Sequence, residues 1–186
     1  MGEFLLFVAC LLAFHVVEFL VINSLHPNAP VRESLLLDSN AYLIAMAFAC
    51  AEYAFWTWQG LSRPLFVRVS GLGLVLAGEA VRKRAILVAG RNFTHRIAVA
   101  KRPEHSLVTN DVYAYIRHPA YFGWFLWAPG TQVLLCNPVS TLGFTYLAWR
   151  FFKVRIPVEE RYLLRFFGEE FARYRDRTPT CIPGIP

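Results

Sequence analysis

Two polar clusters in the C-terminal half of the chain have side chains suited to group transfer. The first, Arg117 to Trp124, contains an imidazole and a phenol. The second begins with Arg155 and continues into the paired carboxylates Glu159 and Glu160. Carboxylates suit a water-borne ligand that carries positive charge or ribose hydroxyls, whereas the two-pronged guanidinium of arginine suits a carboxylate. Together these side chains predict a site for two ligands of opposite character.

The stretch between the clusters, 125–152, is nearly all apolar and is broken once, at Asn137-Pro138. A chain that leaves one cluster, crosses an apolar medium, turns and crosses back returns the second cluster to the side of the first. The spacing therefore predicts that both clusters form one site beside a large apolar wall.

Composition indicates that the surrounding medium is a lipid bilayer. The chain is 56% hydrophobic and only 17% charged, against roughly 25% charged in an ordinary soluble domain. Its net charge of +6 does not indicate nucleic acid, because the basic residues alternate with apolar runs of membrane length. We expect the basic residues to contact anionic lipid headgroups.

Five apolar segments approach the ~17 to 25 residues that a spanning helix needs. We therefore predict an all-α integral membrane protein with about five transmembrane helices, forming a single membrane-embedded domain over residues 1–186. Within it, 1–116 provides the N-terminal spans and a cytosolic loop, and 117–186 provides a helical hairpin and a cofactor-binding segment. The predicted segments are Phe4 to Ile22, Ala41 to Trp58, Leu65 to Val81, Tyr121 to Cys136 and Val139 to Phe152.

Charge and periodicity predict what lies at the membrane surface. All but Arg63 and Arg68 of the 19 lysines and arginines fall on one side of these segments, which predicts a cytosolic loop at 82–117 and a cytosolic C-terminus. After the fifth segment, Pro157 is suited to the start of a helix. Apolar residues follow it at helical spacing, which predicts an amphipathic helix that caps a cofactor pocket.

Polar and small residues within the first three segments are expected to join helices. An ionisable group in a bilayer costs on the order of 2.5 to 3.5 kcal/mol, so each should face another helix or a helix end. Glycines allow close approach of two helices. The ionisable residues are His15, Glu18, Glu52 and Glu79, and the glycines are Gly71, Gly73 and Gly78.

The motifs of several enzyme classes are missing from the sequence. It has no Gly-x-Ser-x-Gly, no His-Glu-x-x-His and no phosphate-binding glycine loop, and its four cysteines lack metal-binding spacing. Methyl transfer from a sulfonium donor needs few catalytic side chains, because alignment and desolvation do most of the work. A carboxylate acceptor, ionised above a pKa of about 3.3 to 3.7, needs no general base. It does need a cation, for which Arg155 is well placed.

Two motifs resemble those of one family. Arg-His-Pro-x-Tyr-x-Gly-Trp at 117–124, together with Glu-Glu-x-x-Leu-x-x-x-Phe-Gly at 159–168, closely resembles the isoprenylcysteine carboxyl methyltransferases. These are integral membrane enzymes of the endoplasmic reticulum. The resemblance extends to Arg91–His95, Leu107–Thr109 and Cys136–Pro138, and so covers most of the chain.

The resemblance implies a function, a cofactor and site residues. It implies methylation of the C-terminal carboxylate of a prenylated cysteine in CaaX proteins, with S-adenosylmethionine as donor and no metal. Arg155 would hold the acceptor carboxylate, and Arg150 and Glu160 are further candidates for substrate binding and catalysis. The residues implied to bind the cofactor are His105, Ser106, Leu107, Val108, Tyr113, His118, Pro119, Ala120, Tyr121 and Glu159.

Three alternative functions remain open at this point. Phospholipid methyltransferases and sterol reductases share parts of the C-terminal pattern, so the acceptor could be a headgroup amine, or the cofactor could be NADPH. A membrane scaffold without catalytic activity, whose basic loop recruits anionic lipid, is the third alternative. Binding of an S-adenosyl ligand separates the methyltransferases from both other classes.

Overall fold

A computed structural model describes residues 2–27, 31, 39–103 and 105–186. Short 3-10 helices cover Gly90–Asn92 and Asp111–Ala114. No strand occurs among the described residues, so the all-helical prediction is confirmed for them. The longer helices are α1 (Gly2–Leu25), α2 (Asn40–Trp58), α3 (Leu65–Ala89), α4 (Pro119–Leu135), α5 (Pro138–Phe167) and α6 (Glu169–Arg177).

The five predicted apolar segments lie in α1 to α5, although α3 and α5 continue beyond them. In the described part of the chain, α1 alone is long and apolar enough to cross a membrane by length and composition. Large apolar side chains are nevertheless exposed on α1, α2, α3 and α5, including Leu5, Ile44, Phe66 and Leu142. On α4 no large apolar side chain is exposed. Helix α4 is therefore the central helix, and α1, α3 and α5 pack against it.

Helices α3 and α4 pack backbone against backbone through glycines. A Cβ on Gly71 would lie 2.3 Å from the amide nitrogen of Leu134, and one on Gly78 would lie 2.5 Å from the carbonyl oxygen of Gly123. Gly71 and Gly78 are seven residues apart, as are Gly123 and Gly130 on α4, so each pair lies on one helix face. Small residues allow the close approach. The expected role of glycine thus holds at Gly71 and Gly78 but not at Gly73, where a Cβ would meet nothing within 4 Å.

Helix α5 is longer than the sequence predicted. It runs without interruption from Pro138 to Phe167 with Pro157 inside it, so the prediction that a separate helix begins at Pro157 is wrong. An internal proline removes one backbone hydrogen bond and costs about 3 kcal/mol. Phe152 and Ile156 are buried in an apolar cluster with Ile182, and this packing offsets the cost. The helix ends at Gly168, whose φ is +52°.

Three of the four ionisable residues in the first three helices, His15, Glu18 and Glu52, join helices as expected, whereas Glu79 pairs with Lys83 of its own helix. Glu52 of α2 accepts hydrogen bonds from the amides of Val139 and Ser140 at 2.9 and 2.7 Å, so it caps the start of α5. His15 of α1 contacts the hydroxyl of Tyr42 at 2.8 Å. Such partners satisfy groups that would otherwise be costly to bury.

The glycine interface predicts opposite outcomes for two alanine substitutions on α3. Gly78→Ala should lower the free energy of unfolding by about 1–3 kcal/mol, because the new Cβ meets backbone that cannot move aside. Gly73→Ala, its control, should raise it by up to about 1 kcal/mol, because alanine is the better helix former and has free space there. Denaturation of both variants in detergent checks this. Equal effects would show that α3 and α4 do not touch at Gly78.

Candidate functional site

A cavity opens where the C-terminal ends of α3 and α5 meet the N-terminal end of α4. The space between its walls is about 950 Å³, which includes open solvent at its mouth. Its wall combines aromatic rings with a few polar groups. Its lining includes Asn92, Phe93, His105, Ser106, Leu107, Val108, Tyr113, Arg117, His118, Pro119, Ala120, Tyr121, Glu159, Tyr162, Phe166, Phe167 and Tyr174.

All ten residues that the sequence assigned to a cofactor lie in this wall. They come from three separate stretches: the loop at 105–108, the segment 113–121 and one carboxylate of α5. Their assembly follows from the hairpin of α4 and α5, which returns Glu159 to the start of α4. The expectation that the two polar clusters share one site is thus confirmed, while cofactor binding itself stays a prediction.

Tyr121 connects the two clusters directly. Its hydroxyl donates a hydrogen bond to Oε2 of Glu159 at 2.5 Å and accepts one from Nε of Arg155 at 2.8 Å. The ring stacks on His118, with centroids 5.4 Å apart and planes 4° from parallel, and on Phe152 at 4.9 Å. The phenol is thereby held on both faces and at its hydroxyl.

Arg155 lies outside the lining of this cavity and borders a second, more open groove, while its hydrogen-bond partner Tyr121 lines the cavity. The groove is apolar apart from two guanidiniums, those of Arg150 and Arg155. Besides its bond to Tyr121, Arg155 donates through Nη2 to the carbonyl oxygen of His95. The groove is lined by Ile97, Leu147, Arg150, Phe151, Val154, Arg155 and Val158.

Glu160 lies behind the cavity wall and not in it. Its Oε1 is 3.0 Å from Nε2 of His118 and accepts a hydrogen bond from Nε of Arg117 at 2.6 Å. Burial alone would raise the pKa of Glu160, but the hydrogen bonds from His118 and Arg117 hold it below its ordinary value. In this position the carboxylate orients His118, and the catalytic role predicted for Glu160 stays a prediction.

The sequence interpretation did not assign a role to Arg117, which joins the C-terminal segment to the site. Its guanidinium is buried and donates to the carbonyl oxygens of Arg175 and Thr178 as well as to Glu160. Its own amide donates to the carbonyl oxygen of Pro179 at 2.8 Å. A five-donor fork can satisfy several acceptors at once. The feature of the sequence that could have identified Arg117 as a site residue is its position next to His118 in the motif.

Hydrogen bonds to backbone carbonyl oxygens of neighbouring elements fix the phenols of the wall. Tyr113 donates to the carbonyl oxygen of Ala85 at 3.3 Å, and Tyr174 of α6 donates to the carbonyl oxygen of Tyr113 at 2.7 Å. Burial raises the pKa of both phenols, so both remain protonated donors at neutral pH. Asp111 begins the 3-10 helix that contains Tyr113, and its backbone lies in the left-handed region at φ +54°. A hydrogen bond from Arg84 lowers the pKa of Asp111 to about 2.

The loop between α3 and α4 is fastened over the cavity at two points. Lys101 donates to the carbonyl oxygen of Phe166 at 2.8 Å and lies 4.7 Å from the ring centroid of Phe167. Asn92 contacts both the amide and the hydroxyl of Ser106, at 3.0 and 3.2 Å.

Over the residues that the structure describes, no group of three or more His, Cys, Asp and Glu side chains could hold a metal ion.

Comparison with known proteins identifies the family. The profile of the isoprenylcysteine carboxyl methyltransferase (ICMT) family matches residues 71–165. A probable protein-S-isoprenylcysteine O-methyltransferase of Oryza sativa subsp. indica is 42% identical over 182 residues, covering 97% of this chain and 95% of the rice protein. The chain belongs to the isoprenylcysteine carboxyl methyltransferase family.

Two further relatives extend the comparison to animals and to a solved structure. The Homo sapiens protein-S-isoprenylcysteine O-methyltransferase is 41% identical over 175 residues, and the match spans 92% of this chain and 62% of the human protein. A structure of the eukaryotic intramembrane Ras methyltransferase ICMT matches with a TM-score of 0.94 and 38% sequence identity, covering 98% of this chain and 67% of that one. Membership of the ICMT family confirms the predictions of a methyltransferase and of a membrane protein.

The contacts of Glu160 predict a pH-dependent contribution to stability. A carboxyl whose pKa is lowered by folding stabilises the protein above its unfolded pKa of about 4.3, and this contribution is lost as the pH falls toward the folded pKa. Wild type should therefore have a higher Tm than Glu160→Gln at pH 6, and the difference should shrink as the pH falls below the unfolded pKa of about 4.3. Thermal scans in detergent across this range check it; a Tm difference independent of pH would contradict it.

Proposed function

We propose that the chain transfers the methyl group of S-adenosylmethionine to the C-terminal carboxylate of a prenylated cysteine, forming a methyl ester. One observation carries the proposal: Tyr121 and Arg155 form the boundary between two cavities of different character. On one side lies a polar and aromatic cavity with a carboxylate. On the other lies an apolar groove with guanidiniums. A water-borne cation and a lipid-borne acid can thus approach each other from opposite sides.

The polar cavity has the chemistry that S-adenosylmethionine requires. Glu159 provides an anion for a cationic ligand, and the rings of Tyr113 and Phe166 provide faces for an adenine or a sulfonium. Backbone and side-chain polar groups at 105–108 are suited to ribose hydroxyls. When bound there, the cofactor would supply an electrophilic methyl group, whose bond to sulfur breaks as an acceptor oxygen bonds to its carbon.

The groove has the chemistry that a prenylated carboxylate requires. Arg155 uses Nε and Nη2 within the protein, and its Nη1 has no hydrogen-bond partner among the described residues. That nitrogen is free to donate to an acceptor carboxylate. Leu147, Phe151 and Val154 provide apolar surface for a prenyl tail, which gains about 0.8 kcal/mol per buried CH₂ in such surroundings.

The side chains of the protein then act by positioning and electrostatics. Arg155 orients the carboxylate, and because that carboxylate is already ionised at neutral pH, no residue has to remove a proton. The hydroxyl of Tyr121 accepts a hydrogen bond from the guanidinium of Arg155 and so fixes its orientation. Glu159, which accepts a hydrogen bond from the hydroxyl of Tyr121, attracts the positive charge of a ligand in the polar cavity. Alignment of the reacting atoms and exclusion of water supply the rate enhancement.

The charges of the groove favour a carboxylate over an amine acceptor. Both of its ionisable side chains are guanidiniums, which repel a protonated headgroup amine. Methylation of an amine also needs a base to remove a proton. Among the described residues that line the groove there is no carboxylate and no imidazole.

Charge and exposure support the orientation in the membrane. Exposed apolar side chains on α1, α2, α3 and α5 suit contact with lipid on all sides of the bundle. The excess of lysine and arginine in 82–117 and after the fifth apolar segment, which ends at Phe152, supports a cytosolic mouth for the cofactor cavity. We propose a multi-pass protein of the endoplasmic reticulum membrane with its C-terminus in the cytosol, acting on prenylated CaaX proteins.

The first test is transfer of a labelled methyl group. Incubation of the purified chain with radiolabelled S-adenosylmethionine and a farnesylated cysteine analogue should give a base-labile methyl ester. Arg155→Ala should lower kcat/KM by about a hundredfold or more, because it removes a charged hydrogen-bond donor. Arg155→Lys should lose less, since it keeps the charge without the fork. In both variants the Kd of S-adenosylhomocysteine should stay near the wild-type value.

Two results would contradict this assignment. Wild-type protein that labels a phospholipid extract but not the prenylcysteine would move the acceptor to a headgroup. Loss of S-adenosylhomocysteine binding in Arg155→Ala, with the fold intact, would place Arg155 in the cofactor site.

Binding alone separates the chain from reductase relatives. S-adenosylhomocysteine at 100 times its Kd should stabilise the protein by about 2.7 kcal/mol, whereas NADPH should leave the Tm unchanged. A Tm increase with NADPH only would favour a reductase, and no increase with either ligand would favour a scaffold.

A further inference from the structure

A buried cluster of charges lies beneath the site and outside both cavities. Its centre is Glu18 of α1, which is 0% exposed. The carboxylate accepts hydrogen bonds from Nη2 of Arg82 at 2.5 Å and from Nζ of Lys83 at 2.5 Å, and it lies 2.8 Å from Nε2 of His95. Glu79 pairs with Lys83 at 3.1 Å, so two carboxylates balance the two cations.

One branch of this cluster reaches Arg155 through His95. Because a carboxylate can only accept, the Nε2–H of His95 donates to Glu18. The carbonyl oxygen of the same residue accepts from Nη2 of Arg155. His95 is thus held to α1 by its side chain, and it holds Arg155 by its main chain.

A second branch reaches Arg155 through the start of α4. Nη1 of Arg82 donates to the carbonyl oxygen of Ala120 at 3.0 Å, and Ala120 immediately precedes Tyr121. The Tyr121 hydroxyl accepts from Nε of Arg155. Within the described residues, both acceptors that hold the guanidinium of Arg155 are therefore connected to the carboxylate of Glu18.

We infer that Glu18 is a positioning residue for the acceptor site: it sets the orientation of Arg155 through His95 and through Arg82. The inference rests on the proposed function, in which Arg155 holds the acceptor carboxylate. A carboxylate is required because its two oxygens offer about four acceptor positions, which four donor groups from Arg82, Lys83 and His95 occupy. Glutamine offers one oxygen and turns an N–H toward a cation, so it cannot hold both branches.

The test compares Glu18→Gln with the same substitution at a remote buried carboxylate. Glu18→Gln should lower kcat/KM for the farnesylated cysteine analogue by about tenfold to a hundredfold, because small misplacements far from the reaction have effects of this size. The Kd of S-adenosylhomocysteine should change little. The control, Glu52→Gln, weakens the cap of α5 by removing one of its two acceptor oxygens, about 23 Å along the helix from Arg155. It should lower the Tm and leave kcat/KM of the folded protein unchanged.

A second pair of variants isolates the His95 branch and does not depend on whether Glu18→Gln folds. His95→Leu removes the donor to Glu18 and should raise the acceptor KM and lower kcat. His95→Gln keeps an N–H near the position of Nε2, so its KM and kcat should stay close to the wild-type values. All measurements use the full chain in detergent, well below each variant's Tm.

The outcomes distinguish this inference from the proposed function. If the wild type forms the ester while Glu18→Gln and His95→Leu keep its kcat/KM, the positioning role is wrong and the proposed function stands. Equal losses in Glu52→Gln and Glu18→Gln would also overturn the positioning role, since the effect would then be general destabilisation. A wild-type protein that forms no ester would overturn the proposed function and this inference with it.

Discussion

The close approach of α3 and α4 is the constraint from which the site follows. Glycines on both helices let the two backbones touch, and a single added Cβ at Gly78 would lie 2.5 Å from a carbonyl oxygen. At this separation Arg82, one turn beyond Gly78, reaches the carbonyl oxygen of Ala120, and the first turn of α4 is fixed against α3. The imidazole of His118 and the phenol of Tyr121 take their places from that turn.

Sequence patterns predicted the helices and the wall of the cavity because both depend on local signals. Apolar length predicts helices, and the motif around His118 predicts a cluster. The partners of Glu18 could not be predicted, since they depend on how α1 and α3 rotate about their axes, which no spacing in the chain determines. The same limit applies to Arg117, whose acceptors are carbonyl oxygens that any residue can provide.

Pro157 misled the prediction for a different reason. Local propensity favours a helix start at proline, but tertiary packing of Phe152 and Ile156 continues α5 through it. Continuity matters for the site, because Arg155 and Glu159 lie on opposite sides of Pro157 in sequence and one turn apart on the same helix face. A break at Pro157 would uncouple the guanidinium from the carboxylate.

Arginine and glutamate four residues apart on a helix ordinarily attract each other. Within the described part of the chain no ion pair joins Arg155 to Glu159, because the hydroxyl of Tyr121 lies between them, donating to one and accepting from the other. The phenol keeps the two charges linked but separate. Glu159 is thereby left facing the polar cavity and Arg155 the apolar groove, so one turn of α5 presents opposite charges to two ligands that must meet between them.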